Sequence, residues 1–180
     1  TGRLVGVIQA RMGSTRLPAK VLEPLTGDDA AGSVLGWTVR AARASGALDD
    51  VVIATTTGPE DDALVAAADE LGVAVVRGPV EDVLTRFLMA VEGRAADAVM
   101  RLTADCPLLD PAVLSIVGAA VRSGSVDYVS TSTPRTLPRG LDCEALPIST
   151  LHRLDAVARD YHRTHVTSYA YSHPEEFRCA

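Results

Sequence analysis

Lysine is almost missing from this sequence. The 180-residue chain holds 17 basic residues, and Lys20 is the one lysine among them. Aromatic residues are scarce too, at 4%, so any core has to be packed from aliphatic side chains. Cysteine is limited to Cys106, Cys143 and Cys179, an odd count with no CxxC pair. That favours free thiols in a reducing, cytoplasmic setting over a disulfide framework. No apolar run approaches membrane-spanning length and no signal-peptide pattern opens the chain, so no membrane partner is expected. A broad basic stripe is also lacking in a chain of net charge -6, which argues against nucleic acid as a partner.

What is present is an aliphatic composition, 47% hydrophobic, in alternating segments. Residues 1–180 read as a single domain. Thr1 at the start and the strand-like end Phe177-Arg178-Cys179-Ala180 suggest a domain truncated at its C-terminus or excised from a longer protein. Apolar runs predict strands at residues 4–8, 50–56, 73–76, 97–102 and 127–130. Helical spacing predicts helices over 32–44, 59–71, 80–92, 111–122, 149–159 and 160–171. Cys143 to Ile148 reads as an edge strand, because Pro147 has no N–H to donate. This βα alternation predicts an α/β fold, a mostly parallel sheet with helices on both faces.

In such sheets ligands sit at the carboxyl ends of the strands, and the polar punctuation falls there. The chief stretch is Gln9-Ala10-Arg11-Met12-Gly13-Ser14-Thr15-Arg16-Leu17-Pro18-Ala19-Lys20, directly after the first strand. Three cations stand among small residues with free backbone N–H groups, which is how a chain wraps an anion such as phosphate. Lys20 lies seven residues after Gly13, so this is neither a Walker A loop nor GxGxxG. Further clusters at Thr55-Thr56, Arg77-Gly78 and Thr103-Ala104-Asp105 follow other strands and should converge with it. Asp105 has two readings, as a Mg²⁺ ligand and as a turn residue before Pro107. Cys106 has no readable base beside it, and His162 with His165 lacks the further ligands of a zinc site.

The loop from Gln9 to Leu22 resembles that of the spore-coat-polysaccharide (SpsF-type) cytidylyltransferase family. That family is akin to acylneuraminate and 3-deoxy-manno-octulosonate cytidylyltransferases. The likeness continues through Arg77-Gly78 and Asp82-Val83-Leu84. It runs on through Arg101 to Leu108, Arg135-Thr136, Gly140-Leu141-Asp142 with Glu144, and ends near His165-Val166-Thr167 and Tyr169. Ala19 departs from the family's usual Gly. The resemblance implies a Rossmann-like nucleotide-diphospho-sugar transferase (GT-A type) fold. It also implies transfer of CMP from CTP to a sugar or sugar acid with release of diphosphate, Mg²⁺ as cofactor, and a homodimer.

The resemblance assigns residues as well. Arg11, Lys20 and Asp105 would be catalytic, with Asp105 on the metal. Gln9, Ala10, Arg11, Met12, Gly13, Ser14, Arg16, Lys20, Thr55, Thr56, Arg77, Gly78, Asp82, Arg101 and Thr103 would contact the nucleotide. Arg135, Arg139, Asp142, Glu144 and His165 would meet the acceptor. A second metal-binding Asp would lie C-terminal to Ala180. Alternatives stay open: a nucleotidylyltransferase for another base or acceptor, or a nucleotide-binding module of a larger protein. A glycosyltransferase of GT-A type is disfavoured, because Thr103-Ala104-Asp105-Cys106 holds no DxD.

Overall fold

A computed structural model describes residues 2–14 and 17–180. Among these residues the strands are β1 (Leu4–Gln9), β2 (Asp50–Thr56), β3 (Ala74–Gly78), β4 (Ala98–Thr103), β5 (Val129–Ser130) and β6 (Glu144–Pro147). The helices are α1 (Val34–Ala44), α2 (Asp62–Glu70), α3 (Val83–Val91), α4 (Pro111–Arg122), α5 (Ile148–Val157), α6 (Tyr161–Thr164) and α7 (Ser168–Ser172). The strands form one six-stranded sheet in the order β3-β2-β1-β4-β6-β5. The first four in that order run parallel, while β6 is antiparallel to both β4 and β5.

Alternation along the strands splits the core into two layers. Leu4 and Ile8 of β1, Ile53 of β2, and Met100 and Leu102 of β4 pack under α1, α2 and α4, against Leu35, Leu64 and Leu114. Val5, Val7, Val52 and Val99 point the other way and meet Leu84 and Phe87 of α3 with Leu151 and Leu154 of α5. A strand covered by helices on both faces must be apolar at every position, which is why these segments read as continuous runs. Helix starts follow local chemistry. The Ser33 side chain accepts from the Gly36 N–H, Asp82 accepts from Thr85, and Asp110 accepts from Ala112 ahead of Pro111.

Two expectations need correction. The segment around Cys143 to Ile148 is no edge strand, since β6 lies between β4 and β5. Pro147 is tolerated because it is the last residue of β6, opposite Ala98, and Ile148 supplies the next N–H, to the Asp97 carbonyl at 2.9 Å. The edge position falls to β5, and the C-terminal residues cover it: Tyr128 bridges Cys179, and the Ser130 N–H donates to the Ala180 carbonyl at 2.9 Å. The helix predicted over 160–171 is broken into α6 and α7, with buried Val166 and Thr167 between them.

From β1 the chain moves outward to β2 and β3, then returns to lay β4 on the other side of β1. The crevice at such a reversal is the expected ligand position. Gln9, Thr56, Gly78 and Thr103 are the last residues of the four parallel strands and lie at the same end of the sheet.

Candidate active site

A cavity of about 250 Å³ opens at the β1/β4 reversal. Its wall comes from Gln9, Ala10, Arg11, Gly13 and Ser14 on one side, Lys20 and Val21 beneath, and Thr103, Ala104 and Asp105 on the other. The loop is tied from within. The Met12 carbonyl accepts from the Ser14 N–H at 2.9 Å and the Ala19 N–H at 3.0 Å. A Cβ at Gly13 would meet nothing within 4 Å, so the space beside it is open to a ligand. The Ser14 N–H, by contrast, is already spent inside the loop. Ala19 has φ of 60°, in the left-handed region where glycine is unstrained. This accounts for the glycine usual at that point in the resembling family. Arg16 lies outside the described residues.

The loop is anchored by Asp61, immediately ahead of α2. Asp61 is 1% exposed. One of its oxygens accepts from the Met12 N–H at 2.7 Å, and the other accepts from both the N–H and the hydroxyl of Thr56. Burial raises its pKa, but these hydrogen bonds outweigh burial and hold it below the usual carboxylate value. Asp61 therefore stays ionised at neutral pH and couples the β1 loop to the end of β2.

Lys20 and Asp105 form an ion pair across the cavity. Burial pushes the Asp105 carboxyl up; the hydrogen bond and charge of Lys20, with help from Thr103, more than reverse this. Asp105 is thus an anion facing a cation. Cys106 shares a contact of 3.1 Å with the Thr103 hydroxyl, and burial pushes its thiol up, so no thiolate is prepared there.

A second cavity of about 360 Å³ adjoins the first, and Thr103 lines both. Arg101, Arg135, Asp142 and Glu144 line it, with Ser132, Thr133, Thr167 and Tyr171. Buried Glu144 is held at both oxygens. Arg101 takes Oε2, while Tyr128 and Thr167 donate hydroxyls to Oε1 at 2.5 and 2.9 Å. Arg101 also reaches the Gln9 side-chain oxygen at 3.3 Å, joining the two cavities. Burial and then the Glu144 charge push the Tyr128 phenol up, so it remains a donor.

Other nominated residues stand apart. Thr55 and Thr56 are buried. Arg77 spends its guanidinium on the Thr56 and Gly58 carbonyls and on Asp62. Asp82 caps α3 and pairs with Arg163. A Cβ at Gly78 would come within 2.9 Å of the Arg86 side chain. Arg139 and exposed His165 line neither cavity; the His165 ring lies 4.2 Å from that of Tyr161. The sequence reading passed over Arg86, a buried cation on an otherwise apolar helix face, which holds the Pro79 and Val80 carbonyls at 2.7 and 2.9 Å. Its signal was that placement beside Leu84 and Phe87.

The mixed, mostly parallel sheet has the nucleotidyltransferase fold, with a cationic loop and an opposed carboxylate at its reversal point. A family profile described as Cytidylyltransferase matches residues 5–179, and the chain belongs to that family. It is 37% identical over 176 residues to the spore coat polysaccharide biosynthesis protein SpsF of Bacillus subtilis, covering 96% of this chain and 71% of that protein. It is 34% identical over 134 residues to 3-deoxy-manno-octulosonate cytidylyltransferase of Acidobacterium capsulatum, covering 73% and 51%. Among solved structures, a cytidylyltransferase from Leptospira borgpetersenii superposes with a TM-score of 0.92 at 34% identity, over 99% of this chain and 75% of that one.

Proposed function

We propose that this enzyme transfers CMP from CTP to a sugar-type acceptor, releasing diphosphate, for polysaccharide or glycoconjugate synthesis. The observation that carries this is the pair of adjoining cavities, one cationic and one hydroxyl-lined, that share Thr103. In this reading the triphosphate lies in the first cavity. Arg11 and Lys20 stand where charge accumulates on the departing diphosphate, and Asp61 keeps the loop shaped around it. The acceptor oxygen arrives from the second cavity and attacks the α-phosphorus in line. Positioning and fixed charge supply the rate in such a transfer.

Asp105 fits a divalent cation of the Mg²⁺ type. It offers a hard carboxylate oxygen at the cavity wall, and that oxygen already faces an ammonium. When bound there, such a cation neutralises phosphate charge as a Lewis acid. A homodimer and a cytoplasmic setting belong to the same proposal, on the resemblance and on the three free cysteines.

The test is to incubate the protein with CTP, Mg²⁺ and a panel of sugars and sugar acids while following diphosphate. Release that depends on both CTP and acceptor is expected. Tight CTP binding with no turnover of any acceptor would instead favour a nucleotide-binding module.

A further inference from the structure

We infer that Arg163, which lines neither cavity, is a positioning residue for the acceptor. It fixes the α6–α7 wall of the second cavity by tying that wall to the start of α3, a role that rests on the reading of this cavity as the acceptor site. The wall needs such a tie. α6 has four residues and α7 has five, too few for either to hold its shape and place without tertiary contacts. Yet this segment delivers Thr167 and Tyr171 to the cavity.

One guanidinium serves three elements. The Arg163 Nε donates to the Asp82 carboxylate, the cap of α3, at 2.7 Å. One terminal nitrogen donates to the Thr85 hydroxyl of α3 at 3.1 Å and to the Asp155 carboxylate of α5 at 3.0 Å. Charge-assisted bonds from a planar fork to two carboxylates are strong and directional. Beside it, the Thr164 hydroxyl donates to the Glu81 carbonyl at 2.9 Å. Four residues on, the Thr167 hydroxyl donates to buried Glu144 at 2.9 Å. Glu144 in turn holds Arg101, which reaches Gln9 at 3.3 Å.

The segment is thus held between two anchors, the start of α3 at one end and Glu144 at the other. Without Arg163, Thr167 and Tyr171 keep chiefly the second. The other Asp82 oxygen accepts from the Thr85 N–H at 2.9 Å, so the cap of α3 does not depend on Arg163. Among the described residues, Arg163 donates to none that line the first cavity. Its loss should therefore reach the acceptor and spare the nucleotide.

The probe is whichever sugar or sugar acid of the panel gives the fastest CTP-dependent diphosphate release in the wild type. Its KM is measured beside a CTP titration for Arg163→Met, Arg163→Lys, Asp82→Asn, Thr167→Val and the double variant Arg163→Met/Thr167→Val. Arg163→Met should raise the acceptor KM by about tenfold and leave CTP affinity within about twofold of the wild type. Arg163→Lys should recover part of the loss, since an ammonium meets one carboxylate but cannot span Asp82, Thr85 and Asp155 together. Asp82→Asn keeps an oxygen to cap α3 and should raise the acceptor KM by about threefold; it carries the test if Arg163→Met does not fold. Because Arg163 acts through Thr167, the double variant should be no worse than the larger single one. The assignment is overturned if the acceptor KM stays at the wild-type value in Arg163→Met or, where that variant does not fold, in Asp82→Asn. It is also overturned if CTP affinity falls in step with the acceptor KM, or if the Arg163 and Thr167 effects multiply. If no member of the panel reacts in the wild type, the parent reading fails and this role with it.

Discussion

Lys20→Ala is expected to lower kcat/KM for CTP-dependent diphosphate release by about 10²- to 10³-fold, the usual loss when one preorganised charge on a developing anion is removed. The argument is local. Lys20 is the chain's one lysine and stands in the cavity wall opposite Asp105. Its side chain is partly exposed, so the surface part of its ion pair contributes only about 0–1 kcal/mol to stability. The expected pattern is a large kinetic loss with a nearly unchanged denaturant midpoint. Lys20→Arg should recover only part of the activity, because a planar fork cannot replace a compact ammonium at the same spot. Steady-state kinetics beside urea unfolding of both variants checks this. Equal losses in activity and stability would mean that Lys20 is structural.

Asp105→Asn is the second large effect, also about 10²- to 10³-fold in kcat, with a distinct signature. Removing a carboxylate from a cationic cavity lowers the repulsion felt by a triphosphate. Metal-free CTP should bind this variant as well as the wild type or better, while the stimulation by Mg²⁺ is lost. Kinetics across a Mg²⁺ series, with CTP titrations with and without the ion, reads both quantities. A variant that keeps its Mg²⁺ response would remove Asp105 from the metal's surroundings and return it to the turn before Pro107.

The parallel half of the fold was legible because burial on both faces forces unbroken aliphatic runs, as in Leu4 to Ile8 and Val51 to Ala54. One helix start carried its own chemistry in the sequence, where Asp110 stands ahead of Pro111 and caps α4. The place of β6 was not legible. Strand order is set by which faces meet in three dimensions, and a terminal Pro147 looks the same in an edge strand and at an inner strand's end. The break between α6 and α7 was hidden for a related reason. His165 leaves helical geometry, with φ of -108° and ψ of 60°, and Thr167 after it donates to Glu144, a partner 23 positions away.

The cationic loop stood out in sequence because its residue types and order are unusual, whereas Asp105 kept two readings there; the structure brings both to one cavity. Arg77 and Asp82 carry the same side chains as ligand contacts do, and only geometry reveals that they fasten a turn and cap a helix. Asp61 and Arg86 escaped for the opposite reason. Asp61 looked like ordinary helix composition and Arg86 showed only as a cation on an apolar face, and both bind backbone groups that a sequence does not display.

The central claim is that the loop from Gln9 to Lys20 holds the triphosphate tail of CTP. Isothermal titration with CTP and with CMP, both in Mg²⁺, tests it most directly. Since the affinity is assigned to phosphate contacts with Arg11 and Lys20, CTP should bind about 100-fold more tightly than CMP. Equal affinities for the two nucleotides, or binding of neither, would contradict it.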